Sequence, residues 1–175
     1  MSYTELYVMK KDGELAYTEF RNAFRGAMYV WTDVAQRYAG FDSFPFNEKD
    51  QMEVWNYDRR HPGVMKHHEI IVLLSTMDYA LVDGSRWKNL VEDFEQYGTE
   101  HPNSNYMDQA KAIRQLVEEI GEDNVKAFAW NQTSVGEAWC VTYDDEGDEN
   151  VFYDPDTENK HFWVYELSEE EPENA

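Results

Sequence analysis

The last 49 residues of this 175-residue chain, residues 127–175, combine strong negative charge with aromatic side chains. They contain 14 Asp or Glu, nine aromatic residues and a single basic residue, Lys160. Disordered acidic tails usually lack aromatic residues to bury. Short aromatic runs that alternate with acidic turns are typical of strands joined by hairpins. The segment therefore predicts a folded, acidic part of an antiparallel sheet.

The negative charge increases along the chain. Residues 1–40 hold 5 acidic and 5 basic residues, residues 41–100 hold 12 and 6, and residues 101–175 hold 19 and 4. A net charge of −21 disfavours direct contact with nucleic acid or an anionic membrane, and favours a basic protein as partner. No signal peptide or membrane span is evident, so we expect a soluble protein of the cytoplasm, of the host cell if a phage encodes it.

Periodic apolar residues predict about three helices. Residues 22–40 carry an apolar stripe at intervals of three and four, and Gly40 stands where a left-handed C-cap belongs. A second helix is predicted from the cap residue Ser85, and a third from Asn105 to its end at Gly121. Residues 41–63 lack steady periodicity, which predicts an irregular connection over the core.

Segments rich in β-branched and aromatic residues predict the strands. The predicted strands are residues 3–10, 15–18, 68–74, 79–82, 125–130, 138–143, 151–153 and 161–165. The turn Asp12-Gly13 predicts a hairpin of the first two, with a helix from Glu14 as the alternative. Residues 68–74 fit a helix or a strand, and the run from Ile70 to Val72 favours a strand. We predict an α+β fold with a mostly antiparallel sheet, as one two-layer domain over residues 1–168 with an acidic disordered tail at 169–175.

The acidic turns of the C-terminal segment form the predicted partner-binding surface. Carboxylates on alternate residues of a strand lie roughly 6.6 Å apart, a repeat that suits successive Lys or Arg side chains of a partner. An exposed Trp or Tyr on the last strand would add an anchoring contact. The predicted partner-binding residues are Asp144, Asp145, Glu146, Asp148, Glu149, Asp154, Asp156, Glu158, Trp163 and Tyr165.

Four polar residues follow the predicted strand at 125–130 and define a second candidate site. Asn131, Gln132, Thr133 and Ser134 could line a small-molecule pocket, since polar groups at a strand end can converge on a ligand. The alternative is a polar turn that bonds its own backbone.

No residue pattern indicates a metal, a cofactor or a catalytic centre. The acids in the loop from residue 154 have the alternate spacing of calcium ligands, but Asn159 stands where an EF-hand needs Gly and Tyr165 where it needs Glu. The five His residues match no zinc motif. Cys140 lies between Trp139 and Val141 in a predicted strand, which predicts a buried structural thiol.

Several short stretches resemble a known family. They are Lys-Asp-Gly at residues 11–13, Asn-Ala-Phe-Arg-Gly-Ala-Met at 22–28, Ser-Thr-Met-Asp at 75–78, Trp-Asn-Gln-Thr-Ser-Val at 130–135 and Lys-His-Phe-Trp at 160–163. The chain resembles small uncharacterised proteins encoded by phages and prophages of Gram-positive bacteria. The resemblance implies a small phage accessory protein.

Charge and resemblance together predict a non-enzymatic accessory protein that binds a basic surface of a host protein. A nucleic-acid-binding defence factor, whose DNA or RNA the acidic surface would displace, fits this charge. Two alternatives remain open at the level of sequence. One is a small-molecule binder or enzyme with a pocket at residues 131–134, and the other is a phage structural or assembly component.

Overall fold

A five-stranded, mostly antiparallel sheet forms the centre of the structure, a computed structural model that describes residues 2–21, 23–132, 138–143, 146 and 149–170. The strands of the chain are β1 (Tyr3–Lys10), β2 (Leu15–Arg21), β3 (Ala80–Asp83), β4 (Val125–Asn131), β5 (Val141–Tyr143), β6 (Glu149–Phe152) and β7 (Phe162–Trp163). The central sheet has the spatial order β2-β1-β4-β3-β7, and only its β3–β7 pair is parallel. Strands β5 and β6 pair separately.

The described residues contain seven α-helices, more than the three predicted. They are α1 (Ala27–Val34), α2 (Glu48–Trp55), α3 (Tyr57–Arg60), α4 (His67–Leu74), α5 (Trp87–Glu100), α6 (Tyr106–Ile120) and α7 (Val164–Glu169). Helix α1 continues into a π-helical turn, Ala35–Ala39, which ends at Gly40 with the expected left-handed φ of 77°. The predicted α+β class is confirmed. No helix in the described part of the chain is long and apolar enough to cross a membrane.

Alternate residues of the central strands face two different layers, because successive side chains of a strand point to opposite faces. Leu6, Val8, Phe128 and Trp130 belong to a large core with the helices. Their neighbours face a smaller apolar cluster, which comprises Tyr7, Met9, Leu81, Ala127, Ala129, Ala138, Cys140, Val141 and Tyr153. The C-terminal segment thus adds a small layer on the sheet face opposite the helices, and Cys140 is buried there as predicted.

Two regions of the N-terminal half differ from the prediction. The segment 41–63, predicted as irregular, contains α2 and α3, and the side chain of Asn47 caps α2 by accepting the N–H of Asp50 at 2.9 Å. The segment 68–74, predicted as a strand, is helix α4. Its third residue, Glu69, accepts the backbone N–H of Lys66 at 3.0 Å and thereby bonds the start of the helix.

The C-terminal strands are also arranged differently from the prediction. The predicted strand at 161–165 is limited to Phe162–Trp163, because Val164 begins α7. Strand β7 pairs with β3 of the central sheet, whereas β5 and β6 form their own sheet, so the last three strands do not form one continuous sheet. Glu169 is the last residue of α7, and residues 171–175 of the predicted tail lie outside the described residues.

Candidate partner-binding groove

The second predicted acidic turn, at residues 154–159, bonds its own backbone. The carboxylate of Asp154 accepts the N–H of Asp156 at 3.0 Å and the hydroxyl of Thr157 at 3.2 Å. The carboxylate of Glu158 accepts the N–H of Asp154 at 2.9 Å. Asp residues commonly stabilise turns in this way. The three carboxylates are therefore positioned by a turn, so the spacing of alternate strand residues does not apply to them.

Lys126 of β4 partly neutralises this turn from within the molecule. Its Nζ lies 2.7 Å from Oδ2 of Asp156 and 3.3 Å from Oδ1 of Asp154. The bond with Asp156, followed by that with Asp154, raises the pKa of Lys126 despite partial burial. The N–H of Asp156 and the ammonium of Lys126 lower the pKa of Asp154. Both groups are therefore charged at neutral pH, and the turn presents less net charge than its sequence indicates.

The first predicted acidic turn is only partly described. Asp144, Asp145 and Asp148 lie outside the described residues, as do Thr133 and Ser134 of the predicted polar pocket. Glu146 is exposed, and Glu149 is the first residue of β6.

Two of the predicted binding residues, Asp156 and Trp163, line the same open groove. The groove has a volume of about 570 Å³ and runs beside the ends of β3 and β4. We call it the acidic groove and define it by the carboxylates and indoles that line it, which are Asp83, Glu122, Asp123, Asp156, Trp87 and Trp163. The structure thus adds acidic and aromatic residues from two distant parts of the sequence to the predicted pair.

The acidic groove already holds a lysine against an aromatic ring. Nζ of Lys88 lies 5.4 Å from the ring centroid of Trp87, within the range of a cation–π contact. The same indole donates its N–H to Oε2 of Glu122 at 3.0 Å, which fixes the ring. Lys11 and Lys126 also line the groove, and Lys126 is held by the turn carboxylates. Four carboxylates therefore face three ammonium groups, only one of which is fully paired within the turn.

Only one of the two predicted aromatic anchors is accessible. Tyr165 is 3% exposed, and its hydroxyl donates to Oδ2 of Asp93 at 2.6 Å. Burial, together with the bond to Asp93, raises the pKa of this hydroxyl. Tyr165 is thus a buried contact between α7 and α5, and not an exposed anchor. Trp163 is half-buried at the groove.

The two described members of the predicted polar pocket connect different parts of the fold. Both are buried. Nδ2 of Asn131 donates to Oε2 of Glu5 at 2.9 Å, which connects β4 to β1. Nε2 of Gln132 donates to the carbonyl oxygen of Ser75 at 3.1 Å, next to the end of α4. These bonds support a structural role for Asn131 and Gln132.

A polar cluster among the helices was not predicted. Arg37 of the π-helical turn binds both carboxylate oxygens of Asp33, at 2.7 and 2.6 Å, and Oε1 of Glu69 at 2.5 Å. The hydroxyl of Tyr38 donates to Oε2 of Glu69 at 2.5 Å. Oδ2 of Asp33 also lies 3.8 Å from Nε2 of His101. The sequence did contain one signal for this cluster. It places Asp33 and Arg37 four residues apart, on one face of the predicted helix, which is the spacing of an ion pair.

The donors around Glu69 keep this buried carboxylate charged and occupied. Its side chain is 1% exposed, and burial alone would raise its pKa, but hydrogen bonds from Tyr38, Arg37 and the Lys66 N–H outweigh burial and lower it. Burial and the carboxylate raise the pKa of Tyr38 to about 12, so its hydroxyl remains a donor at neutral pH. Three of the roughly four acceptor positions of this carboxylate are therefore occupied, which makes Glu69 a poor candidate for proton abstraction.

His68, Glu69 and Glu100 could offer ligand atoms within 4.8 Å of one another. Nε2 of His68 already lies 2.9 Å from Oε2 of Glu100, and Glu69 is bound to Arg37. A metal ion there would have to displace the guanidinium from Glu69 and would be repelled by its charge. This geometry fits an ion-pair network that joins α1, α4 and α5 better than it fits a metal centre.

Comparison of the chain with protein-family models, with curated proteins and with solved structures finds no match in any of the three.

Proposed function

We propose that this protein is a non-enzymatic binding protein whose acidic groove engages a basic surface of a partner protein. The observation that carries the proposal is the combination of carboxylates with two indole rings in one open groove. A partner Arg or Lys side chain entering it would meet Glu122, Asp123 and the ring of Trp163. Asp156 is already bound to Lys126, and Lys88 lies against the ring of Trp87. Aromatic faces and carboxylates are the two kinds of group that bind such cations.

The charge of the whole chain supports the same proposal. The sequence has 36 acidic and 15 basic residues, so its own cations could neutralise fewer than half of its carboxylates. Such an excess would attract a basic protein over distances of about 10 Å at moderate ionic strength. It would also repel nucleic acid.

The proposal also specifies the class of partner, a protein that normally binds nucleic acid. Surfaces that bind phosphates carry clustered Lys and Arg, which the acidic groove would suit. The resemblance to phage-encoded proteins suggests that such a partner be sought among the host's nucleic-acid-binding proteins, defence factors included.

The first prediction concerns recovery of this partner. We expect the tagged, full-length protein to recover a basic, nucleic-acid-binding protein from a lysate of a Gram-positive host, and to release labelled DNA or RNA from it once purified. The double variant Glu122→Lys with Asp123→Lys should reduce the binding of the purified partner by about ten-fold or more, because like charges would then face each other. Quantitative mass spectrometry and fluorescence anisotropy provide the two measurements.

A matched variant separates local from general electrostatics. Glu19→Lys with Asp108→Lys makes the same change in net charge at two exposed residues, on β2 and at the start of α6. Neither residue lines the acidic groove. We expect this control to retain most of the binding. Equal losses in both double variants, or recovery of no basic protein, would contradict the proposal.

A further inference from the structure

A small apolar groove lies among the first helices, apart from the acidic groove. It has a volume of about 230 Å³ and is lined by Ala27, Met28, Trp31, Phe44, Gln51 and Met77. Gln51 is the only polar residue of this set. We call it the Trp31 groove. Its volume is enough for one large apolar side chain.

The floor of the Trp31 groove is held in place by contacts on two sides. The indole N–H of Trp31 donates to Oγ1 of Thr76 at 2.8 Å. The indole ring stacks on that of Trp55, with centroids 6.2 Å apart and planes 5° from parallel. Trp31 is only 9% exposed. The groove is therefore preformed. Binding of a partner side chain would require little further ordering of the groove, and such ordering weakens most binding.

Large apolar side chains are exposed at the edge of the same groove. Met77, which lines it, is 39% exposed. Phe46 is 78% exposed, and its ring lies 5.2 Å from that of Phe44, which also lines the groove. Exposed apolar patches beside a preformed pocket are typical of protein interaction sites.

Three exposed acidic residues lie close in sequence to residues that line the Trp31 groove, and we call them its acidic rim. Asp78 follows Met77, Asp42 precedes Phe44 by two residues, and Glu48 lies one helical turn before Gln51 on α2; all three are exposed. None of these carboxylates forms an ion pair within the described residues, and Lys49 is the one basic residue at positions 42–51. Desolvation raises the pKa of Asp78, so a cation placed beside it would stabilise its charged form.

We propose that the Trp31 groove binds an amphipathic segment of a basic protein, with a large apolar side chain in the groove and Lys or Arg residues against the acidic rim. A second copy of this chain is a poorer occupant, because each copy carries a net charge of −21. An anionic membrane is disfavoured for the same reason. The inference relies on the proposed function for the basic character of the partner, but it does not require the acidic groove.

The test uses a short synthetic peptide that is amphipathic as a helix, with lysines on one face and leucines around a central tryptophan on the other. The full-length protein is labelled at its methionine methyl groups with ¹³C and titrated with the peptide. We expect the methyl signals of Met28 and Met77 to shift, while those of the buried Met9 and Met65 stay in place. Met77→Arg should weaken binding by about ten-fold or more, because it puts a cation and a bulky chain into the groove.

Companion peptides and variants test each part of the inference. Replacing the central tryptophan by alanine, or all lysines by glutamates, should weaken binding strongly. Asp78→Lys with Glu48→Lys should weaken it several-fold and reduce its salt dependence. In the double variant Glu122→Lys with Asp123→Lys the peptide should still shift the methyl signals of Met28 and Met77, so a failure of the acidic groove is distinguishable. Equal binding of the glutamate peptide, undiminished binding by Met77→Arg, or no shift of Met28 and Met77 overturns the inference.

Discussion

Replacement of Glu69 by alanine is expected to lower the free energy of unfolding by about 3 kcal/mol, the lower end of the range for removal of one partner from a buried ion pair. The substitution leaves Asp33 as the one carboxylate bound to Arg37 and removes the acceptor of the Tyr38 hydroxyl. It also frees the N–H of Lys66 at the start of α4. Because Arg37 is partly exposed and can be solvated, we expect a loss at the lower end of that range. Urea denaturation at pH 7 measures the loss.

The dependence of this loss on pH identifies its electrostatic part. The pKa of Glu69 is lowered in the folded protein, so its charged form contributes stability above the pKa of the unfolded chain, about 4.3. This contribution is lost as the pH falls through the lower, folded-state pKa. The difference between parent and Glu69→Ala should therefore be full at pH 7 and become smaller below about pH 4.3. Glu69→Gln keeps the shape and an acceptor, and should lose less stability. A difference that is constant from pH 7 to pH 3 would contradict an ionic contribution.

Elements with local signals could be predicted from the sequence. The hairpin of β1 and β2 follows from its Asp12-Gly13 turn, and its strands pair as expected. Helices α5 and α6 carry clear apolar stripes, and both bury one face against the core. Strand β4 is a short apolar run buried on both faces. In each case a few neighbouring residues determine the element.

Helix α4 could not be distinguished from a strand by its sequence pattern. Six of its eight residues are buried, so it shows no polar face and no helical stripe. The β-branched residues Ile70, Ile71 and Val72 favour a strand by propensity. Packing against α5 and the contacts of Glu69 with Arg37 and Tyr38 stabilise the helix instead. Arg37 and Tyr38 are more than 30 residues away along the chain, so the local pattern does not show these contacts. Helix α2, in contrast, had a usable signal in the cap residue Asn47 followed by Asp50.

The acidic groove depends on topology. Its residues come from three regions, at positions 83–88, 122–126 and 156–163, with Lys11 added from the first hairpin. They meet because β3 lies between β4 and β7, with β7 parallel to it, and sequence spacing does not reveal that order. The sequence identified Asp156 and Trp163 as candidates. It could not show that Lys126 neutralises the acidic turn or that Tyr165 is buried.

Replacement of Gly84 by alanine is expected to destabilise the protein by about 3 kcal/mol or more, at or above the upper end of the usual cost of overpacking. Gly84 lies directly after β3 and packs against the backbone of Val125 at the start of β4. A Cβ atom added at this glycine would lie 2.1 Å from the carbonyl oxygen of Val125 and 2.7 Å from its carbonyl carbon. Backbone atoms cannot rotate away as the end of a side chain can, so the two segments must separate. Urea denaturation gives the change in free energy.

This separation would take place in the wall of the acidic groove, since Gly84 and Val125 both line it. At temperatures where the Gly84→Ala variant remains folded, it should bind a basic partner more weakly without any change in charge. Ser85→Ala is the matched control, because it changes the next residue and removes only an exposed bond of 2.7 Å from the Ser85 hydroxyl to Asp83, worth about 1 kcal/mol or less. If Gly84→Ala were as stable as Ser85→Ala, this result would contradict the close approach of β4 to Gly84. If it were destabilised but bound the partner with full affinity, the geometry of this wall would not matter for binding.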